Sequence, residues 1–194
     1  MTGGWIDLYW LPLGAGGHFV RRNGRAYEWW VSRLEHRAPL DLYHAGLVIR
    51  QDDVDYAVEM GPVWNVRQPD RGVVCEGPVG SPWLGRFRAF RYEVRCWAGG
   101  FLPDAAEAVG GPRRVAEDPA VVADSLMMVR EVPVLTWGRD ELGTGEMWNS
   151  NSLVAYVLAR TGVDAAALSA PPGGRAPGWG AGIAAASRSC RRGA

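Results

Sequence analysis

Residues 147–158 read Met147-Trp-Asn-Ser-Asn-Ser-Leu-Val-Ala-Tyr-Val-Leu158, which is a run of four small polar residues followed by an apolar run. Asn and Ser are favoured N-cap residues, because their side-chain oxygens accept hydrogen bonds from unpaired N–H groups of a first helical turn. The pattern predicts a helix over residues 150–161, closed by Gly162. A single cap needs one such residue. The surplus predicts exposed donors at the positive end of a helix dipole, where an oxyanion or a thiolate would be stabilised. The predicted oxyanion site consists of Asn149 and the backbone N–H groups of residues 150 and 151.

Helical spacing distinguishes the two serines of this stretch. The apolar stripe expected to face the core consists of Val154, Val157, Leu158 and Thr161. Ser150 precedes Val154 by four residues and therefore shares that stripe, whereas Ser152 points to the opposite side. The spacing predicts that Ser150 is directed at whatever the helix packs on.

A hairpin predicted upstream carries the only histidine that we single out. Residues 42–49 and 54–60 are apolar runs separated by the polar Arg50-Gln-Asp-Asp53. If the turn is centred between Gln51 and Asp52, His44 lies directly opposite Glu59 on one face of the hairpin. A carboxylate in that place raises the pKa of a histidine and fixes its tautomer, as the orienter of a general base does. A turn one residue longer breaks this pairing and leaves Tyr56 as the competing polar neighbour.

The other predicted elements complete an α+β domain. We expect strands at residues 5–11, near 73–74 and at 87–97, and helices at 25–37, near 103–110 and at 118–130, the last capped by Asp118-Pro119. From Ser169 onward Pro, Gly and Ala dominate. We expect residues from about 184 to 194 to be mobile, and Trp179 is a candidate to pack back on the domain.

Composition excludes several classes of function. The 194 residues are 47% hydrophobic, enough for one domain over residues 1–194. The 21 basic residues balance the 21 acidic ones, so nucleic acid is not an expected partner. Three Cys and three His without ligand spacing predict neither a metal site nor a cofactor. Without a signal peptide or a long apolar window, the sequence predicts a cytoplasmic protein with no membrane span.

The order of these motifs resembles a known family. The strand Tyr43-His-Ala-Gly-Leu-Val-Ile49, its paired strand and the later helix start Asn149-Ser-Asn-Ser-Leu-Val154 resemble the circularly permuted branch of the NlpC/P60 (papain-like) superfamily, which includes lecithin:retinol acyltransferase-like proteins. The chain is also similar to bacterial sequences that carry Asn-Ser-Asn-Ser or Asn-Ser-Asn-Thr at this helix start. The resemblance implies an antiparallel sheet packed against helices.

The resemblance also implies roles for individual residues. His44 takes the position of the family's histidine, Asn149 that of its asparagine, and Ser150 that of its catalytic cysteine. Glu59 or Tyr56 would be the third polar group. The implied activity is that of a hydrolase or acyl transferase acting on an amide or ester bond of a small-molecule, peptide or acyl substrate.

The serine at position 150 leaves three interpretations open, because a hydroxyl needs stronger general-base help than a thiol. The chain is a serine-dependent enzyme, a papain-like scaffold that binds a peptide or acyl ligand without catalysis, or a fold in which these residues are only helix caps. Whether the protein is an enzyme at all stays open at this point. Cys75 is a weaker candidate nucleophile, because no helix start accompanies it.

Overall fold

The structure is a computed structural model that describes residues 3–13, 33, 36, 38–63 and 72–192. Its strands are β1 (Trp5–Pro12), β2 (Asp41–Gln51), β3 (Val54–Pro62), β4 (Val73–Pro78), β5 (Arg91–Ala98), β6 (Arg113–Ala116) and β7 (Gly174–Arg175). Its α-helices are α1 (Pro119–Arg130), α2 (Ser150–Arg160) and α3 (Trp179–Arg192). The α+β class is confirmed. The helix predicted for residues 25–37 lies outside the described residues apart from Arg33 and His36.

One sheet organises the domain. Its strands follow the order β4-β5-β3-β2-β1-β6 with antiparallel neighbours, and β7 adds a short parallel pairing to β2 at Asp41 and Leu42. The hairpin between β2 and β3 is confirmed. Its two-residue turn is Asp52-Asp53, and both residues have positive φ, 50° and 61°, as a tight primed turn requires.

The two faces of the sheet are covered differently. Alternate residues of β2, namely Tyr43, Ala45, Leu47 and Ile49, belong to the main core together with buried residues of all three described helices. Val48 points to the other face, where a smaller cluster forms with Ala57 and Leu102. Strand alternation therefore separates a helix-covered face from a second face.

Helix α2 is buried on every side over residues 150–158. The sequence predicted a single inward stripe, and this prediction was wrong, because Ser152 on the opposite side of the helix is also buried, at 0% exposed. The reason is the C-terminal segment, in which the sequence predicted no element. Helix α3 packs there against α2, and Gly182 lets it approach so closely that a Cβ at that position would lie 2.3 Å from the Ser152 carbonyl oxygen. Residues 184–192, expected to be mobile, lie in this helix.

Of the two helices predicted between residues 103 and 130, only the second is confirmed as an α-helix. The helix predicted near 103–110 is a single 3₁₀ turn at Ala105–Glu107, since Gly110 and Gly111 both adopt positive φ and lead into the short strand β6. The helix predicted at 118–130 is confirmed as α1. Its N-cap Asp118 accepts hydrogen bonds from the N–H groups of Ala120 and Val121 at 2.8 and 3.4 Å.

Candidate active site

The first turn of α2 is built by a reciprocal cap. The Asn149 side-chain oxygen accepts hydrogen bonds from the backbone N–H groups of Asn151 (2.9 Å) and Ser152 (3.4 Å). The Ser152 hydroxyl in turn accepts a hydrogen bond from the Asn149 N–H at 3.1 Å. This is a capping box, with Ser in place of the more usual Glu or Gln. Two of the four polar residues are therefore used to begin the helix.

The same two side chains also hold the segment that leads into α3. Asn149 Nδ2 donates to the Pro177 carbonyl oxygen at 2.8 Å, and the Ser152 hydroxyl donates to the Gly178 carbonyl oxygen at 2.7 Å. Gly178 has a φ of 89°, and a Cβ there would lie 2.5 Å from Asn149 Oδ1. Only glycine suits this position, both for its backbone conformation and for its close approach to the cap.

Asn151 joins the helix start to the sheet. Its Oδ1 accepts a hydrogen bond from the Ala45 N–H at 2.7 Å, and its Nδ2 donates to the Tyr43 carbonyl oxygen at 3.0 Å. The carboxamide thus bonds β2 on both sides of His44, as the peptide group of a parallel strand would. The ladder between β2 and β3 ends at the pair Leu47–Val58, so Asn151 completes a stretch of β2 that β3 leaves unpaired.

Ser150 differs from its three neighbours. It is 8% exposed, and the structure gives its hydroxyl no hydrogen bond within the described residues. Its neighbour Asn151 is the residue that bonds β2 on both sides of His44. Ser150 is therefore the member of the polar run that the fold, as far as it is described, does not use.

His44 lies on the second face of the sheet, because Tyr43 and Ala45 on either side of it face the helices. Burial lowers the pKa of His44 below its usual 6.5, and the negative charge of Asp104 opposes that shift in part. The imidazole is therefore neutral at pH 7. Among the described residues, no hydrogen bond joins the imidazole to the Ser150 hydroxyl.

Asp104 is a neighbour that the sequence did not indicate. Leu102 packs directly on Gly46, since a Cβ at position 46 would lie 2.9 Å from Leu102 Cδ1. This contact brings the segment after β5 over the second face beside His44. The Asp104 charge affects the pKa of His44 because the fold brings together two segments about 60 residues apart in the sequence. No local sequence pattern predicts that the two residues are close.

The predicted pairing of His44 with Glu59 was wrong. The turn is Asp52-Asp53, so the register between β2 and β3 is shifted by two positions from the expected one, and the ladder ends before His44. On the other edge of β3, Glu59 pairs with Arg95 of β5. Glu59 Oε1 accepts a hydrogen bond from Arg95 Nη1 at 2.9 Å, and Arg95 Nε donates to the buried Glu93 at 2.9 Å. Burial raises the pKa of Glu59, and the Arg95 charge lowers it in part.

Three further candidates have other roles. Tyr56 pairs with Ile49 near the turn, far along β2 from His44, and packs against the main core. Cys75 lies in β4, and burial raises the pKa of its thiol, which disfavours the thiolate. Of the three predicted oxyanion donors, the Asn149 amide donates to Pro177 and the Asn151 N–H donates to Asn149. For these two donors the prediction was wrong, whereas the Ser150 N–H stays a predicted donor.

No group of three or more His, Cys, Asp or Glu side chains in the described ranges is arranged to hold a metal ion. Within the same part of the chain, no helix has both the length and the apolar character needed to cross a membrane. A surface groove of about 260 Å³ lies at β4 and is lined by residues that include Glu76 and Arg91. Neither His44 nor Ser150 lines it.

The geometry thus separates a structural set, Asn149, Asn151 and Ser152, from Ser150, whose hydroxyl has no hydrogen bond within the described residues. A hydroxyl at a helix start can act as a nucleophile where a neutral imidazole such as that of His44 can take its proton. A comparison of the chain with protein-family models, curated proteins and solved structures found no match.

Proposed function

We propose that the protein is a hydrolase or acyl transferase that acts on an amide or ester bond, with Ser150 as nucleophile and His44 as general base, in a permuted papain-like fold. The observation that carries the proposal is the isolation of Ser150. Each of its polar neighbours has two or more structural hydrogen bonds, whereas its own hydroxyl has none within the described residues. Hydrogen bonding within the fold does not account for a serine at this position.

In the proposed step, the Ser150 oxygen forms a bond to the carbonyl carbon of the substrate while its proton passes to His44. The imidazolium then gives this proton to the leaving amine or alcohol as the carbon–heteroatom bond breaks. Water, or a second acceptor in the transferase case, releases the acyl group from Ser150. Asp104 takes the place that was predicted for Glu59, because its charge favours the protonated form of His44.

A fluorophosphonate probe read by intact mass tests this proposal. We expect one adduct on the wild-type chain, none on Ser150→Ala, and much slower labelling of His44→Gln. Ser187→Ala is the matched control, because Ser187 is exposed on α3 and donates only to the Ile183 carbonyl. Absence of an adduct on the folded wild-type chain, or an adduct that persists in Ser150→Ala, contradicts the proposal.

A second candidate function is a scaffold of the same fold that binds a peptide or acyl ligand without turning it over. The Asn149 amide and the Asn151 N–H already donate hydrogen bonds within the fold, to Pro177 and to Asn149. This favours the second candidate, because a catalytic oxyanion site needs such donors free. This candidate predicts no fluorophosphonate adduct. It also predicts that laurate or a short capped peptide raises the melting temperature, and that Ser150→Leu abolishes the increase.

A further inference from the structure

A loop between β4 and β5 presents aromatic side chains outward. The Val79 N–H donates to the Phe90 carbonyl oxygen at 2.8 Å and closes the loop, which contains two short 3₁₀ turns at Pro82–Arg86 and Arg88–Phe90. The sequence predicted a strand from residue 87, whose alternation accounted for the aromatic and Arg residues there. The strand begins only at Arg91, so alternation does not explain the aromatic residues before it.

The side chains of this loop form a mixed surface, which we call the aromatic–arginine loop and define as Trp83, Arg86, Phe87, Arg88 and Phe90. Trp83 is 58%, Phe87 49% and Phe90 43% exposed. The Arg86 guanidinium lies 4.6 Å from the Trp83 ring centroid and 5.2 Å from that of Phe87. Three large exposed aromatic side chains within eight residues are unusual on a protein surface and indicate an interaction site.

Hydrogen bonds with neighbouring segments of the chain hold the loop in place. Arg91 Nε donates to the Gly85 carbonyl oxygen, and its Nη1 donates to Glu76 at 3.1 Å. The Gly80 N–H donates to the Trp137 carbonyl oxygen at 2.9 Å. The exposed rings therefore lie on a loop that these hydrogen bonds hold in place, and their arrangement does not depend on a partner.

We propose that the aromatic–arginine loop docks on the surface of an anionic phospholipid bilayer. Trp and Phe side chains partition to the boundary between headgroups and acyl chains, and Arg is attracted to anionic headgroups. Charge complementarity supports this partner, because residues 77–92 contain three Arg and no acidic residue until Glu93. Arg91 is already paired with Glu76, which leaves Arg86 and Arg88 to face the headgroups.

A single-stranded nucleic acid fits this surface less well. Such binders combine stacking rings with a basic groove that neutralises several phosphates. Here the loop presents two outward Arg side chains, Arg86 and Arg88, which is fewer than such a groove needs. The neighbouring groove contains the Glu76 carboxylate.

Vesicle flotation of the full chain tests the proposal. We expect the chain to bind vesicles of phosphatidylcholine mixed with phosphatidylglycerol. Binding to phosphatidylcholine alone should be roughly 30-fold weaker, because each of the two Arg side chains contributes about fivefold to binding of anionic vesicles. High salt should remove this difference, because it screens the charges. Trp83→Ala/Phe87→Ala should weaken binding at least about tenfold. Arg86→Glu/Arg88→Glu should abolish the preference for anionic vesicles. Phe101→Ala is the matched control, since Phe101 is 72% exposed outside the loop, and it should bind like the wild type.

Three results overturn the proposal. They are the absence of flotation with anionic vesicles, flotation that the Trp83→Ala/Phe87→Ala variant retains in full, and concentration-dependent self-association without lipid that this variant abolishes. The last result would assign the loop to a second copy of the chain. All these side chains are exposed, and circular dichroism on each variant confirms that the fold is retained.

Discussion

Replacement of Asn151 by Ala tests how the helix start is joined to the sheet. The substitution removes the acceptor of the buried Ala45 N–H and the donor to the Tyr43 carbonyl oxygen, bonds of 2.7 and 3.0 Å. Asn151 Nδ2 also donates to the Pro177 carbonyl oxygen at 2.8 Å, and after the substitution that oxygen keeps its bond from Asn149. Each buried backbone group left without a partner costs about 1–3 kcal/mol, so we expect the free energy of unfolding to fall by about 4 kcal/mol.

Urea unfolding followed by circular dichroism measures this loss. Asn149→Ala is the comparison, because removal of an N-cap costs about 1 kcal/mol. Asn151→Asp should be at least as harmful as Asn151→Ala at neutral pH, because it places a carboxylate oxygen against the Tyr43 carbonyl. An Asn151→Ala variant that loses no more stability than Asn149→Ala would refute the assignment of Asn151 as the link between α2 and β2.

Three further predictions concern neighbouring groups. Ser150→Ala should change the free energy of unfolding by less than about 0.5 kcal/mol, whereas Ser152→Ala should lower it by about 2 kcal/mol. The reason is that, of the two hydroxyls, only that of Ser152 makes hydrogen bonds within the described residues, and equal losses would contradict this distinction. Burial lowers the pKa of His44, so just below pH 6.5 the folded chain binds fewer protons than the unfolded chain. The contribution of His44 to the free energy of unfolding is therefore complete above pH 6.5 and decreases as the pH falls below it. His44→Gln should lose less stability than the wild type in urea titrations between pH 7 and pH 5, and identical losses would show that His44 is not buried in its neutral form. Arg95→Leu should cost about 3–5 kcal/mol, because the Glu59 and Glu93 carboxylates then lose the Arg95 charge. Arg50→Leu at an exposed ion pair should cost less than about 1 kcal/mol, and similar values for the two variants would contradict the buried network.

Local chemistry predicted much of the fold. The N-cap Asp118-Pro119, the run from Asn149 and the two apolar segments around residues 50–53 each act over a few residues, and each marked its helix or hairpin correctly. Helix α3 was missed because Gly, Ala and Arg dominate it and its burial depends on contact with α2. The prediction that Trp179 packs back on the domain is confirmed, since its ring lies 5.0 Å from that of Trp10 and its Nε1 donates to the Ala165 carbonyl oxygen.

The candidate site was predicted less completely, for a physical reason. Cap residues and active-site residues are chemically alike, and only the tertiary partners distinguish them. Pro177 and Gly178 accept hydrogen bonds from Asn149 and Ser152, and no spacing in the sequence indicates this contact. The Glu59 assignment depended on the register of one turn, and a shift of two positions moved the carboxylate to Arg95.

The reactivity of a thiol introduced at position 150 shows whether Ser150 and His44 act together. Ser150→Cys should be alkylated with an apparent thiol pKa below the usual value of about 8.5, because a helix start and an imidazolium both favour the thiolate. Adding His44→Ala should raise that pKa and slow the reaction at neutral pH. A thiol pKa at or above about 8.5 that His44→Ala leaves unchanged, in chains with wild-type circular dichroism, would contradict the account.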